Sequence, residues 1–167
     1  MAYYKTTGEI GGQAINEADT TQNHPLGKIT RATDATYGEG EFIYLKGVAS
    51  TVVGSWVGYS PALGTSVLAV ANGNYPLAVA MSACNTTTKY GWYQISGVAQ
   101  ALGLTSITHS SGFLWLTSTA GSLDDASVIG DAVINARKTV TVHVVGTFLD
   151  TYNISRPFTT NRVLLSN

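Results

Sequence analysis

Residues 66–81 read SVLAVANGNYPLAVAM. Two Leu-Ala-Val-Ala runs, Leu68–Ala71 and Leu77–Ala80, flank the segment Asn72-Gly73-Asn74-Tyr75-Pro76. Asn-Gly supplies the positive φ angles that tight hairpin turns need. The stretch therefore predicts two neighbouring antiparallel strands, Ser66–Ala71 and Leu77–Met81. Upstream, Thr51–Tyr59 is β-branched and aromatic, with Gly54 placed for a bulge. Glu41–Lys46 is rich in strand-favouring side chains and stops at Gly47. Downstream, Gly112–Thr117 (GFLWLT) and Thr139–Val145 (TVTVHVV) read as further strands. The latter alternates Val140, Val142 and Val144 with Thr139, Thr141 and His143.

Two segments leave room for helix. Ile95, Val98, Ala99 and Leu102 fall at helical spacing, although Gly97 and Gly103 would keep such a helix short. Ser122-Leu123-Asp124-Asp125 resembles a capping box that could open one turn. Neither changes the class. Short strands with a turn signal every eight to twelve residues predict an all-β fold, a compact barrel or sandwich of short antiparallel strands.

The ends read differently from the middle. Residues 1–36 are polar, rich in Gly and Thr, and without sustained periodicity, so they predict an extended N-terminal arm. Residues 37–149 form the expected β domain, and 150–167 a C-terminal tail. Tyr3, Tyr4, Ile10 and Ile15 are spaced anchors on the arm. Tyr152 and Phe158 anchor the tail, where Arg156 and Arg162 are placed to meet carboxylates on a neighbour. Trp56 and Trp92 are candidate interface residues within the β domain.

Charge is the other informative property. Between Gly47 and Leu123 the only formally charged side chain is Lys89. About nineteen would be expected in a stretch of that length at the usual share. A free monomer normally relies on dispersed surface charge for solubility, so a neutral middle predicts a surface given over to other subunits. Hydrophobic residues make up 44% of the 167, which argues against wholesale disorder. A net charge of −1 offers no basic footprint for nucleic acid. Gly, Asn, Ser or Pro interrupts every apolar run before the roughly eighteen residues of a membrane span. The start, MAYYKTTGEIGGQ, lacks the basic-then-apolar plan of a signal peptide, so synthesis in a cytoplasm is the expectation.

Reaction chemistry is hard to assemble from these residues. His24, His109 and His143 are far apart and show no metal-ligand spacing. Cys84, the lone cysteine, has no nearby His or cation to activate it and reads as a small buried hydrophobe. Asp124-Asp125 lacks the oxygen-rich alternation of a calcium loop. Glu39 and Glu41 would share one face of a strand, but nothing else supports glycoside cleavage. Gly8–Gly12 is not followed by the Lys-Ser/Thr of a phosphate loop. No catalytic residue, metal site or cofactor is therefore assigned, and the expectation is a protein without enzymatic activity.

Gln22-Asn-His-Pro-Leu-Gly-Lys-Ile-Thr-Arg-Ala-Thr-Asp34, continuing through Tyr37-Gly-Glu-Gly-Glu-Phe-Ile-Tyr-Leu-Lys-Gly-Val48, resembles a segment common among small virion proteins of tailed bacteriophages. Tyr90-Gly-Trp-Tyr-Gln-Ile-Ser-Gly-Val-Ala-Gln-Ala101 is similar to the GWVQ-x-x-G-x-A signature of phage head decoration proteins. The resemblance covers roughly residues 22–101; the segments before Gln22 and after Leu149 depart from the simplest such proteins. It implies a structural protein that binds the outer surface of a phage capsid and cements it. Its partners would be the major capsid protein and copies of itself, with a trimer expected. Two other readings stand beside it: a host-surface carbohydrate-binding module with tryptophans as stacking platforms, and a low-copy tail or head-completion component. Phe42–Ala49 can also be laid on Trp92–Ala99, an echo that either a duplication or two hairpins in related positions would produce.

Overall fold

The run Leu77–Ala80 is buried at all four positions, which a strand with one wet face cannot achieve. Leu77 and Val79 enter one apolar cluster, Ala78 and Ala80 another. That two-sided burial organises the whole molecule. The computed structural model describes residues 3–5, 12–104, 113–127, 131–140 and 149–160. Among them the fold is all-β, as the sequence predicts. The strands are β1 (Tyr4–Lys5), β2 (Ala18–Asp19), β3 (Ile29–Asp34), β4 (Gly38–Lys46), β5 (Trp56–Ser60) and β6 (Thr65–Leu68). They continue with β7 (Leu77–Ala80), β8 (Tyr90–Leu102), β9 (Leu114–Leu116), β10 (Leu123–Asp124), β11 (Ala132–Val140) and β12 (Leu149–Thr160).

Five strands close on themselves in the order β4-β6-β5-β7-β8, with β8 pairing back onto β4. Only β4–β6 is parallel among these contacts, through Lys46 and Thr65. Ile43, Leu45, Val57, Tyr93 and Ile95 fill the interior of this small barrel. The far half of β8 pairs with β12, which leads through β11 and β9 to β10. A parallel bridge between Gly103 and Leu123 returns β10 to the end of β8, so a second ring closes around Ala99, Ala101, Leu114, Val133 and Tyr152.

The two Leu-Ala-Val-Ala runs are not partners, contrary to the hairpin expectation. β5 lies between them, with Val57 opposite both Leu68 and Ala78. The chain leaving β6 stays bonded to its surroundings, Ala69 N–H to Trp56 O at 2.9 Å and Ala71 N–H to Thr117 O at 2.9 Å. The Asn72 turn thus forms beyond the edge of β5, and the returning strand lands on its other side. The segment Thr51–Tyr59 enters its strand only at Trp56, and Gly54 lies in the preceding turn.

The helical spacing of Ile95–Leu102 is also overridden. These residues are the second half of β8, because β4 and β12 offer ladder partners along its length. The ladder with β4 slips by one residue at Ile95, and Gly97 follows at φ +102°, where a side chain would meet the Glu39 carbonyl at 2.5 Å. The bend redirects the strand from one cluster to the other. Ser122–Asp125 forms no helical turn, since Leu123–Asp124 pairs with β9. Of Thr139–Val145, only the first two residues lie within the described residues. The echoed segments Phe42–Ala49 and Trp92–Ala99 prove to be neighbours, with Ile43 opposite Tyr93 and Tyr44 opposite Trp92.

The expected boundaries at residues 36 and 149 need correction. β3 pairs with β4 over six residues, β1 with β3, and β2 with β8. Tyr3, Ile15 and Ala32 pack with Phe42, Tyr44 and Trp92 into a third cluster on the outer face of β4 and β8. Gln13 locks this layer. Its amide donates to Glu17 O at 2.8 Å and Tyr90 O at 2.9 Å, and its carbonyl accepts the Tyr44 hydroxyl at 2.6 Å. At the other end, β12 is no tail but an interior strand between β8 and β11.

Candidate functional site

Of the eight described side chains proposed as interface anchors, five are interior. Trp56 and Trp92 are fully enclosed, and each indole N–H is used, Trp56 to Leu102 O at 3.1 Å and Trp92 to Gln13 O at 3.2 Å. Tyr152 is buried edge-on against Trp56, with ring centres 5.5 Å apart. Ile15 is buried, and the Tyr3 hydroxyl donates to Val98 O at 2.9 Å. Burial pushes the Tyr3 phenol up to about 12. Tyr4, at 72% exposure, Phe158 and Arg156 do face outward. Ile10 and Arg162 lie outside the described residues.

Arg156 belongs to a polar cluster that sequence spacing alone does not reveal. Its guanidinium reaches Glu41 Oε2 at 3.2 Å, while Arg31 reaches Glu41 Oε1 at 3.1 Å and Glu39 at 3.8 Å. Arg31, Glu39 and Glu41 come together because β3 and β4 pair with Arg31 opposite Glu41. Arg156 arrives from β12 at φ +46°, an unusual backbone state for a side chain of this size, beside the irregular β11–β12 pairing at Asn135. With Ser96 and Gly40, Arg31, Glu39 and Glu41 border a shallow cleft of about 230 Å³. Counting Arg156, which pairs with Glu41, the cluster sets two arginines against two carboxylates.

A second feature lies on the outer face of β5 and β6. Gly58 stands opposite Val67 and Ser60 opposite Thr65. Gly58 leaves room for the Tyr75 ring to lie directly on the backbone; a side chain there would overlap it. The Tyr75 hydroxyl accepts from Val70 N–H at 2.8 Å and donates to Val70 O at 3.2 Å. Its backbone is held by Thr159, whose hydroxyl accepts the Tyr75 N–H at 3.0 Å and donates to Gly73 O at 2.8 Å. The resulting open groove has a volume of about 400 Å³. Val67 is 50% exposed, and Leu63, in the turn before β6, is 69% exposed. Aromatic residues in so apolar a chain read first as core, which hides Tyr75; the glycines at 58 and 73 that clear space around its ring are the signal that could have found it.

Neither place assembles a nucleophile with its base. Cys84 is enclosed, as its sequence context predicts, and burial pushes its thiol pKa up, so the sulfur stays protonated. Burial likewise pushes the Tyr93 phenol beside it far above its ordinary range. His24 is packed between Tyr44 and Trp92, each ring centre 5.1 Å away. Among the described residues no three His, Cys, Asp or Glu side chains gather in a metal-binding group. No protein-family model, curated protein or solved structure matches the chain.

Proposed function

We propose that this chain is a structural virion protein that binds the outside of a tailed-phage capsid and cements it. The observation that carries the reading is what the uncharged middle places on the surface. Val52, Val53, Leu63, Val67 and Val70 are all exposed within a stretch whose only charge is Lys89. Contacts built from such side chains stay effective in salt, because little Coulomb energy is available to screen. Many copies bound to a repeating shell gain further from multivalency, so each contact needs only modest affinity. The partners are the major capsid protein and further copies of this chain, with a trimer as the expected oligomer.

The enclosure of Tyr3 and Ile15 changes how attachment would work. The apolar turns flanking β5, with Val52 and Val53 before it and Leu63 after it, are the contact surface in this proposal, in place of an arm laid over a neighbour.

Quantitative mass spectrometry of particles made by the genome that encodes the chain tests the role. Hundreds of copies per particle, labelled by antibody on intact virions, are expected. A count near six or twelve would identify a tail or head-completion component instead. Removal of the protein by about 1 M salt, where the Debye length is about 3 Å, would show that charged contacts dominate.

A further inference from the structure

We propose that the groove beside Tyr75 is a binding site for a neutral saccharide, a capacity additional to capsid attachment. A pyranose ring has an apolar face of C–H groups and an edge of hydroxyls. A site for it needs a fixed aromatic surface next to uncharged hydrogen-bonding groups. The groove provides both. The Tyr75 ring is one wall, backed by Gly58 and tethered at its hydroxyl to both backbone groups of Val70. Ser60 and Thr65, opposite one another across β5 and β6, and Asn74 at the turn supply hydroxyl and amide groups along the lining.

The tethering matters because a ring already held in place loses little freedom when a ligand stacks on it. Two glycines, at 58 and 73, stand where any side chain would collide with Tyr75. The volume of about 400 Å³ lies in the lower part of the range of roughly 300–1,000 Å³ for small-molecule sites. A purely apolar ligand would leave the Ser60, Thr65 and Asn74 groups without exchange for their water. An anionic ligand would find no cation in the lining; Arg156, whose field reaches Tyr59, is held by Glu41.

Trp56 and Trp92 cannot serve as stacking platforms, since both are fully enclosed.

The full chain, labelled with ¹⁵N, is titrated with neutral methyl hexopyranosides and their disaccharides at millimolar concentrations, and amide shifts are followed by NMR. Saturable shifts confined to residues near Gly58, Thr65, Val67 and Asn74 are expected for at least one sugar, with Kd on the order of 1 mM. Val67→Arg projects a long charged chain into the groove and should weaken binding by about tenfold or more, about 1.4 kcal/mol. Asn74→Ala, in an exposed turn, should weaken it without altering thermal melting, and it serves if Val67→Arg does not fold. Absence of any saturable shift at the groove would overturn the proposal. So would binding unchanged in both variants.

Discussion

Replacing Gln13 with Ala tests whether the layer of Tyr3, Ile15 and Ala32 is integral to the fold. The side chain makes three short hydrogen bonds, to Glu17 O, Tyr90 O and from the Tyr44 hydroxyl, and a longer one from Asn23 Nδ2 at 3.3 Å. Each short bond contributes about 1 kcal/mol net, so the three together give about 3 kcal/mol. The longer bond adds little. Tyr44 keeps one partner, because its hydroxyl still accepts the Asn23 N–H at 3.2 Å, so a large further penalty from an unpaired phenol is not expected. With an m-value of about 1–3 kcal/mol/M, the urea midpoint should fall by roughly 1–3 M. Gln22→Ala is the control, an exposed amide with one bond to His24 O, and should stay within about 0.5 kcal/mol. Equilibrium unfolding followed by tryptophan fluorescence reads both, since Trp92 donates to the Gln13 backbone. A Gln13→Ala loss below about 1 kcal/mol with an unchanged m-value would refute the idea that this layer is integral to the domain.

Trp92→Ala should destabilise by about 3–5 kcal/mol, because the indole is fully enclosed; an unchanged urea midpoint would place it at the surface instead. Alkaline pH should unfold the protein through its buried tyrosines. A folded-state pKa raised from 10.0 to about 12 at Tyr3 means that the folded state holds its proton longer than the unfolded state. Stability is then full below pH 10 and falls as pH rises through the window to about 12, and Tyr3→Phe should flatten that fall in pH-resolved melts. Glu41→Gln should cost no more than about 1 kcal/mol, since both arginine partners are well exposed and screened; a larger loss that persists in high salt would show the cluster to be structural.

The β class was legible because turn signals are frequent and the apolar runs short. Strand neighbours were not. Which strand lies beside Leu68 or Leu77 depends on where the intervening turn closes relative to β5, and Asn-Gly chemistry carries no information about that. The first thirty-six residues hid their strand because β3 turns Thr30, Ala32 and Asp34 inward, so its period of two is invisible to hydropathy. Asp34 can face inward because it accepts the N–H groups of Thr36 and Tyr37 in the following turn. In β12 the alternation of Tyr152 and Ile154 is broken by Arg156 at positive φ, which places Ser155 and Arg156 outside in succession. Tyr3, Ile15, Trp56, Trp92 and Tyr152 prove interior for a related reason. Large aromatics mark burial in general, and only the fold decides whether an interior or a partner provides it.

The position of β12 between β8 and β11 fixes an order of events in synthesis. β8 is complete at residue 102, yet its far half gains its partner only when residues 149–155 exist. Until then a bent, apolar strand edge stands open, with β11 also short of a neighbour. Such non-local pairing closes slowly and leaves unpaired strand edges exposed to other nascent chains. Insertion of β12 fills both edges at once, and the second ring cannot exist before it. Completion of the second ring is thereby tied to synthesis of the chain through β12, whereas the ring of β4 to β8 already has all its strands by residue 102.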